Sequence, residues 1–251
     1  MLSLRDRYFQ IMDRLRAKAS SLFALPQHLI NSKVKGEFMV GFSSTFRKVG
    51  STELPSFSGL RLMMMPVIIG DASSLPELAA PYTSTFSNLS SMSDPCHLGK
   101  VGYLTVDEKP VAPNQTHRRS GKHVDGVYQG QAGGWGGGGG WGSAGAGMLT
   151  VSSHPGCIAW NQDFEGWPGW EGECDHLAGQ CGVGTVFGAN EVYWVDGLCV
   201  HESIPQSNPV SRQFVRLSMP SSAPWFEGYT VNPLGVLPTG EILPRRLFMD
   251  L

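Results

Sequence analysis

The sequence lacks a long hydrophobic run, a strong charge of either sign and a regular set of cysteines. Its longest apolar stretch, residues 62–69, is interrupted by Pro66 and is far shorter than the ~18 residues of a membrane-spanning helix. The formal net charge is −2, which disfavours the phosphate neutralisation that dominates nucleic-acid binding. These absences favour a small-molecule or protein substrate over a membrane or a nucleic acid.

The five cysteines form an odd and irregularly spaced set. No apolar segment typical of a secretory signal follows the basic N-terminal residues, so we expect reduced thiols and a cytoplasmic location rather than a disulfide scaffold. Cys174, His176 and Cys181 offer a partial zinc cluster. The usual zinc pattern has two close pairs of ligands, however, and only three candidates are present, so their role stays open.

Regular helix is also disfavoured, because 32 of the 251 residues are glycine and 17 are proline. One long helix is predicted over residues 2–25, where apolar side chains recur every three or four positions until Pro26. We interpret it as a helix packed outside a sheet. Its basic polar face is also compatible with an organelle-targeting segment, but Asp6 and Asp13 favour the structural interpretation.

Beyond residue 60, short apolar or β-branched stretches alternate with turn residues, which is typical of β-strands. The predicted strands cover residues 62–69, 101–106, 122–128, 148–153, 157–160, 183–187, 198–202 and 213–219. Many short strands with long loops predict a mainly β jelly roll or related sandwich, the architecture that cupin-type metal sites use. We expect one domain over 1–251, with a helical N-terminal cover (1–60), a core (61–220) and a C-terminal extension (221–251).

Ten of the glycines fall within residues 133–147, between two predicted strands. A chain of this composition has little stiffness of its own. It also carries two large apolar side chains, Trp135 and Trp141. A disordered spacer and a lid over a functional site are both compatible with this pattern.

A metal-binding pattern begins at His123 and Asp125. These residues lie two apart in the predicted strand 122–128, so their side chains project from the same face. His201 lies in the predicted strand 198–202 and can join them only through tertiary structure. Two histidines and one carboxylate form the facial triad that holds non-haem Fe(II) with open positions, although zinc accepts similar ligands.

The strand after His201 carries a second pattern. Arg212, Phe214, Arg216 and Ser218 share one face by the two-residue period of a strand. An arginine that faces a core needs an anion, and its planar fork binds a carboxylate bidentately. Arg216 is the candidate anchor because the Ser218 hydroxyl can donate to the same carboxylate, and Arg212 is the alternative.

The combination of His123-x-Asp125, His201 and Arg216-x-Ser218 resembles the Fe(II)- and 2-oxoglutarate-dependent oxygenases. This resemblance implies a double-stranded β-helix, with Fe(II) bound by the two histidines and the aspartate. It also implies 2-oxoglutarate as co-substrate, with its far carboxylate on Arg216 and Ser218. The implied activity is oxidation of a small-molecule C–H bond by O2, most simply hydroxylation, with release of succinate and CO2.

The resemblance covers residues 100–220, and the N-terminal hundred residues match no motif of the family. Three alternatives stay open. The first is a cupin-like metalloenzyme that uses the same triad without a 2-oxo acid. The second is a non-catalytic jelly-roll binding protein in which the three side chains never meet, and the third, disfavoured by the net charge, is a nucleic-acid base oxygenase.

Overall fold

The computed structural model describes residues 31–34, 37–125, 147–169, 172–220 and 225–243. The helix predicted over 2–25 lies outside these residues, as does all of the glycine-rich segment 133–147 except its last residue. The described chain consists mainly of antiparallel β-structure, which confirms the predicted class. None of its helices has the length and apolar character that crossing a membrane requires.

The strands and helices follow one another in short segments. In chain order the described strands are β1 (Asn31–Val34), β2 (Glu37–Ser44), β3 (Phe46–Ser51), β4 (Arg61–Ile68), β5 (Val101–Val111), β6 (Gly147–Ser152), β7 (Cys157–Ala159), β8 (Gln162–Glu165), β9 (Thr185–Val186), β10 (Glu191–Asp196), β11 (His201–Ser203), β12 (Val210–Ser218), β13 (Trp225–Phe226) and β14 (Ile242–Leu243). The described helices are α1 (Thr83–Ser91) and the 3₁₀ helices Ala72–Ser74, Glu77–Tyr82, Pro95–His97 and Asp175–Gln180.

A six-stranded antiparallel sheet in the order β3-β10-β6-β12-β5-β4 is the main layer of the fold. Its strand β12 is hydrogen-bonded to β5 on one side and to β6 on the other. Because side chains alternate along a strand, Val215 and Leu217 of β12 point into a large hydrophobic cluster. Arg212 and Arg216 project from the opposite face, where they are also buried.

Helix α1 covers the first of these faces. Phe86 and Leu89 of α1 lie in the same hydrophobic cluster as Leu104 of β5 and Leu217 of β12, and all four are buried. Removal of this apolar surface from water is the main term that holds the helix to the sheet. The opposite face of the sheet is covered by the second layer and carries the polar residues of β12 that are predicted for the site.

The second layer is a small sheet in the order β11-β7-β9. It packs on the face of the main sheet that carries Arg212 and Arg216, called the inner face below. Ala159 of β7 shares a hydrophobic cluster with Met148 of β6 and Val195 of β10 on this face. His123 extends this sheet through an isolated antiparallel bridge to His201 of β11. Two smaller groups complete the described fold, the antiparallel sheet β1-β2-β8 and the parallel pair β13 and β14.

Most of the predicted strands have a counterpart in the structure. The stretches predicted at 62–69, 101–106, 148–153, 157–160 and 213–219 correspond to β4, β5, β6, β7 and β12. Those predicted at 183–187 and 198–202 correspond to the shorter strands β9 and β11. Short apolar or β-branched stretches between turn residues therefore indicated where these strands lie.

Several segments differ from the sequence-based expectation. Strands β8 and β10 were not predicted, although β10 lies between β3 and β6 in the main sheet. Residues 31–51, expected within the helical cover, form β1, β2 and β3, and β3 is an edge strand of the main sheet. In the predicted strand 122–128, residues 122–125 make only two isolated bridges, from His123 to Glu173 and to His201. The Val124 N–H donates to the carbonyl of Gly172, whose left-handed backbone (φ 74°) is incompatible with a continuing ladder.

Candidate metal centre

Backbone pairing brings two histidines together that are far apart in the sequence. The N–H of His123 donates to the carbonyl of His201 at 2.9 Å, and the N–H of His201 donates to the carbonyl of His123 at 2.9 Å. The ring centroids are 4.4 Å apart and the ring planes are inclined at 53°. The two imidazoles predicted as metal ligands therefore lie side by side.

Asp125 completes the group. Its Oδ1 lies 4.0 Å from His123 Nε2, and its Oδ2 lies 3.8 Å from His201 Nε2. One ligand atom from each residue lies within 4.8 Å of the others, and no other group of this kind occurs among the described residues. Metal–ligand bonds of about 2.1 Å place neighbouring octahedral ligands about 3 Å apart, so small side-chain rotations would close the group around an ion.

The hydrogen bonds of the two imidazoles select the tautomer that a metal requires. His123 Nδ1 lies 2.7 Å from the carbonyl of Gly121, and His201 Nδ1 lies 2.9 Å from the carbonyl of Cys199. Because a carbonyl can only accept, each Nδ1 carries a proton, and the lone pair of the neutral ring is on Nε2. Both Nε2 atoms face Asp125, so the donor set fits a divalent transition metal.

Burial and the neighbouring His201 lower the pKa of His123 to about 4. A ring with this pKa is neutral at pH 7. Burial alone would raise the pKa of Asp125, but the charges of Arg216 and the two histidines lower it to about 2. At neutral pH the site therefore offers His123 as a neutral nitrogen donor and Asp125 as an ionised carboxylate.

Arg216 and Ser218 lie beside the triad on the inner face of β12. The Arg216 Nη1 donates to Asp125 Oδ2 at 2.8 Å, so the predicted carboxylate anchor is bound to a predicted metal ligand. Thr105 of β5 and Thr150 of β6 flank Arg216 in the sheet. The structure thus brings all five sequence-predicted site residues into one region.

Arg212, the alternative anchor, has different neighbours. Its Nε donates to the carbonyl of His154 at 3.2 Å and its Nη2 donates to Ser152 Oγ at 2.8 Å. Its side chain is buried, its Nη1 has no hydrogen-bond partner in the described part of the chain, and burial lowers its pKa to about 10. Arg212 therefore ties β12 to the connection between β6 and β7 and does not contact Asp125.

Sequence reasoning did not find Met64 of β4, which also contacts the anchor. Its Sδ accepts a hydrogen bond from Arg216 Nη2 at 3.5 Å and lies 4.0 Å from the hydroxyl oxygen of Ser218. Met64 has a positive φ of 49° at an irregularity in the pairing of β4 with β5. No sequence signal marks this residue, because positive φ is uncommon outside glycine, asparagine and aspartate.

A cavity adjoins the triad, with Asp125 and His201 in its wall. Much of the remaining wall is apolar, including Met148, Phe187 and Phe214. Small-molecule sites are commonly apolar clefts with a few polar groups that fix orientation. The cavity therefore lies next to two of the three candidate metal ligands.

Cys174, His176 and Cys181 form no such centre. The Cys174 thiol is buried and donates to the carbonyl of Gly172, while His176 Nε2 lies 2.9 Å from the carbonyl of Trp167. The three residues are not among the groups that could hold a metal ion in the described chain.

Comparison with known proteins adds no identification. No protein-family model matches this chain, and the search of curated proteins found no match. A functional interpretation therefore depends on the geometry of the site.

Proposed function

We propose that this protein is a non-haem Fe(II)- and 2-oxoglutarate-dependent oxygenase that oxidises a C–H bond of a small molecule, most simply by hydroxylation. One observation carries the proposal. One ligand atom from each of His123, Asp125 and His201 lies within 4.8 Å of the others, and both imidazoles are held in the metal-binding tautomer. The buried pair Arg216 and Ser218 beside them supplies donors for an anionic co-substrate.

The strand pairing supports a double-stranded β-helix as the fold of this enzyme. Eight strands are counted in chain order from β5 to β12, with the segment at His123 as the second strand and with β8 left out. The first strand (β5) pairs with the eighth (β12), and the second (at His123) pairs with the seventh (β11). The third strand (β6) pairs with the sixth (β10), and the fourth (β7) pairs with the fifth (β9). A long hairpin that is folded over on itself produces such nested pairs and distributes its strands between two sheets, as in a jelly roll.

The residues of the chain have separate tasks in this proposal. His123, Asp125 and His201 would hold Fe(II) on one side and leave its other positions open. When bound, Fe(II) with O2 and 2-oxoglutarate supplies the oxidation of the substrate, with release of succinate and CO2. The carbonyls of Gly121 and Cys199 keep the two rings oriented.

Arg216 and Ser218 would bind the far carboxylate of 2-oxoglutarate. The guanidinium presents two N–H groups in one plane, and the hydroxyl adds a third donor on the same face of β12. The apolar part of the cavity wall, which includes Phe214, would keep water from the reacting carbon of the substrate. The described cysteines are free, which agrees with the reducing cytoplasm that we propose as location.

One observation favours a second candidate, a cupin-like metalloenzyme with the same triad and no 2-oxo acid. Arg216 already forms an ion pair with Asp125, so its charge is compensated within the protein. In this alternative Arg216 serves only to keep Asp125 ionised and correctly placed. The two candidates share the metal and differ in whether Arg216 binds an anion from outside.

Anaerobic titration separates them. The full-length protein loaded with Fe(II) is titrated with 2-oxoglutarate, and oxygen is then admitted with a panel of small metabolites while succinate is measured. Saturable binding that is lost in His201→Ala, followed by succinate release, supports the oxygenase. Binding of Fe(II) without any binding of 2-oxoglutarate supports the second candidate, and absence of Fe(II) binding overturns both.

A further inference from the structure

Met64 lies in a conformation that its surroundings impose. A left-handed backbone is unfavourable for a residue with a side chain and persists where neighbouring groups fix it. The Met64 N–H donates to Thr105 Oγ1 at 3.2 Å, and its carbonyl accepts from Trp225 Nε1 at 2.9 Å. Both backbone groups are therefore held by side chains from other strands, β5 and β13.

This conformation directs the thioether of Met64 at both residues of the anchor. The sulfur accepts from Arg216 Nη2 at 3.5 Å and lies 4.0 Å from Ser218 Oγ, and the Met64 side chain is buried. These two donors are the ones that the proposed function assigns to the far carboxylate of 2-oxoglutarate. A thioether is only a weak acceptor, whereas a carboxylate forms strong charge-assisted hydrogen bonds with the same donors.

We propose that Met64 is a specificity-determining residue of the co-substrate site. Its thioether occupies the carboxylate subsite of Arg216 and Ser218 in the free protein and is displaced when the 2-oxo acid binds. Methionine suits this task because its unbranched side chain has three rotatable bonds and adapts readily to a changed cavity. The inference rests on the proposed function and adds that residue 64 sets both the affinity for the oxo acid and the chain length that the subsite accepts.

A graded series of substitutions tests this inference. Met64→Gly removes the thioether from the carboxylate subsite, and glycine adopts a positive φ without strain. We therefore expect 2-oxoglutarate to bind about 5-fold more tightly. Met64→Gln has a similar length but presents an amide oxygen, a stronger acceptor than sulfur. It should compete better for Arg216 and weaken 2-oxoglutarate binding about 10-fold.

Chain length provides a second readout. The space vacated in Met64→Gly should admit 2-oxoadipate, which is one methylene longer, and raise its affinity relative to 2-oxoglutarate about 10-fold over the ratio in the unmodified protein. Dissociation constants are measured by calorimetry on the Fe(II)-loaded full-length protein without oxygen. Thermal unfolding of each variant confirms that it is folded, and the Gln variant remains informative if the Gly variant is not.

Met63→Gln is the matched control. The backbone of Met63 is hydrogen-bonded to Thr230, and the same substitution one residue earlier should change neither dissociation constant by more than about twofold. If the unmodified protein binds 2-oxoglutarate and the Met64 series shows neither the affinity order nor the change in length preference, this inference is wrong and the proposed function stands. If the unmodified protein binds no 2-oxo acid, the proposed function itself fails.

Discussion

Arg216 and Asp125 form an ion pair in which Nη1 lies 2.8 Å from Oδ2, and the arginine side chain is only 2 % exposed. The same carboxylate is one of the three candidate metal ligands. The guanidinium therefore opposes the binding of a cation at Asp125 while it favours the binding of an anion beside it. Metal affinity and co-substrate affinity should respond in opposite directions when this charge is removed.

Arg216→Gln tests whether metal affinity and co-substrate affinity respond in opposite directions. We expect affinity for a divalent metal to rise about 3- to 10-fold, because a repulsive charge is lost. Affinity for 2-oxoglutarate should fall about 100-fold, because the charge-assisted hydrogen bonds are lost. Calorimetric titration with Co(II), then with 2-oxoglutarate, measures both. Arg216→Lys keeps the charge and should restore the metal affinity, and an unchanged 2-oxoglutarate affinity in Arg216→Gln would show that the anchor is elsewhere.

Arg212→Met distinguishes the two arginines of β12. Arg212 is buried, and its hydrogen bonds are to Ser152 and His154. The substitution loses those bonds but also removes a buried charge that is costly to desolvate, so we expect the free energy of unfolding to change by no more than about 1 kcal/mol. The dissociation constant of 2-oxoglutarate should stay within about twofold. A large loss of 2-oxoglutarate affinity would identify Arg212 as the anchor.

Gly172→Ala should disturb the arrangement of the triad, although Gly172 is not one of its three residues. Gly172 has a φ of 74°, and a Cβ at this position would overlap the carbonyl oxygen of Val124. Val124 lies between the candidate ligands His123 and Asp125. We expect a loss of about 2–4 kcal/mol in the free energy of unfolding together with weaker Co(II) binding. Gly179→Ala is a suitable control, since a Cβ there meets no atom within 4 Å.

A pH-dependent contribution to stability is expected from Glu108 of β5. Burial alone would raise the pKa of its carboxyl, but hydrogen bonds from Tyr82, Ser58 and Gln213 lower it to about 2. A folded-state pKa below the ordinary 4.5 means that the unfolded chain binds the proton more readily. The ionised carboxylate therefore stabilises the fold above pH 4.5, and this contribution is lost as the pH falls towards 2.

Glu108→Gln measures that contribution. At neutral pH the variant should be less stable by about 1–3 kcal/mol, since buried donors lose a charged acceptor. Between pH 4.5 and pH 2 its free energy of unfolding should decline less steeply than that of the unmodified protein, as followed by urea denaturation. Tyr82→Phe removes one donor and keeps the carboxylate, so it should retain most of the pH dependence. Parallel pH profiles for Glu108→Gln and the unmodified protein would contradict the assignment.

Local pattern was sufficient to place several site residues. The two-residue period of β12 correctly put Arg212 and Arg216 on one face, because side-chain alternation is a property of any strand. The same rule placed His123 and Asp125 together, although the segment makes only two isolated bridges, both at His123. Their convergence depends on pairing with His201 and on the irregular backbone around Gly172, rather than on a regular strand.

Features that depend on tertiary contacts could not be predicted from the sequence. The strands of residues 31–51 carry no clear alternation, and β3 is fixed by its pairing with β10. The positive φ of Met64 is imposed by Thr105 and Trp225, which are distant in the chain. Contacts of this kind follow from the packing of whole layers, so no local window of residues reports them.

The exchange of backbone hydrogen bonds between His123 and His201 also has a kinetic consequence. The contact joins the second and seventh of the nested strands, so most of the core must be in place before the candidate ligands can meet. A metal ion should therefore bind after the rate-limiting step of folding. It should slow the unfolding rate in proportion to its occupancy while leaving the refolding rate nearly unchanged.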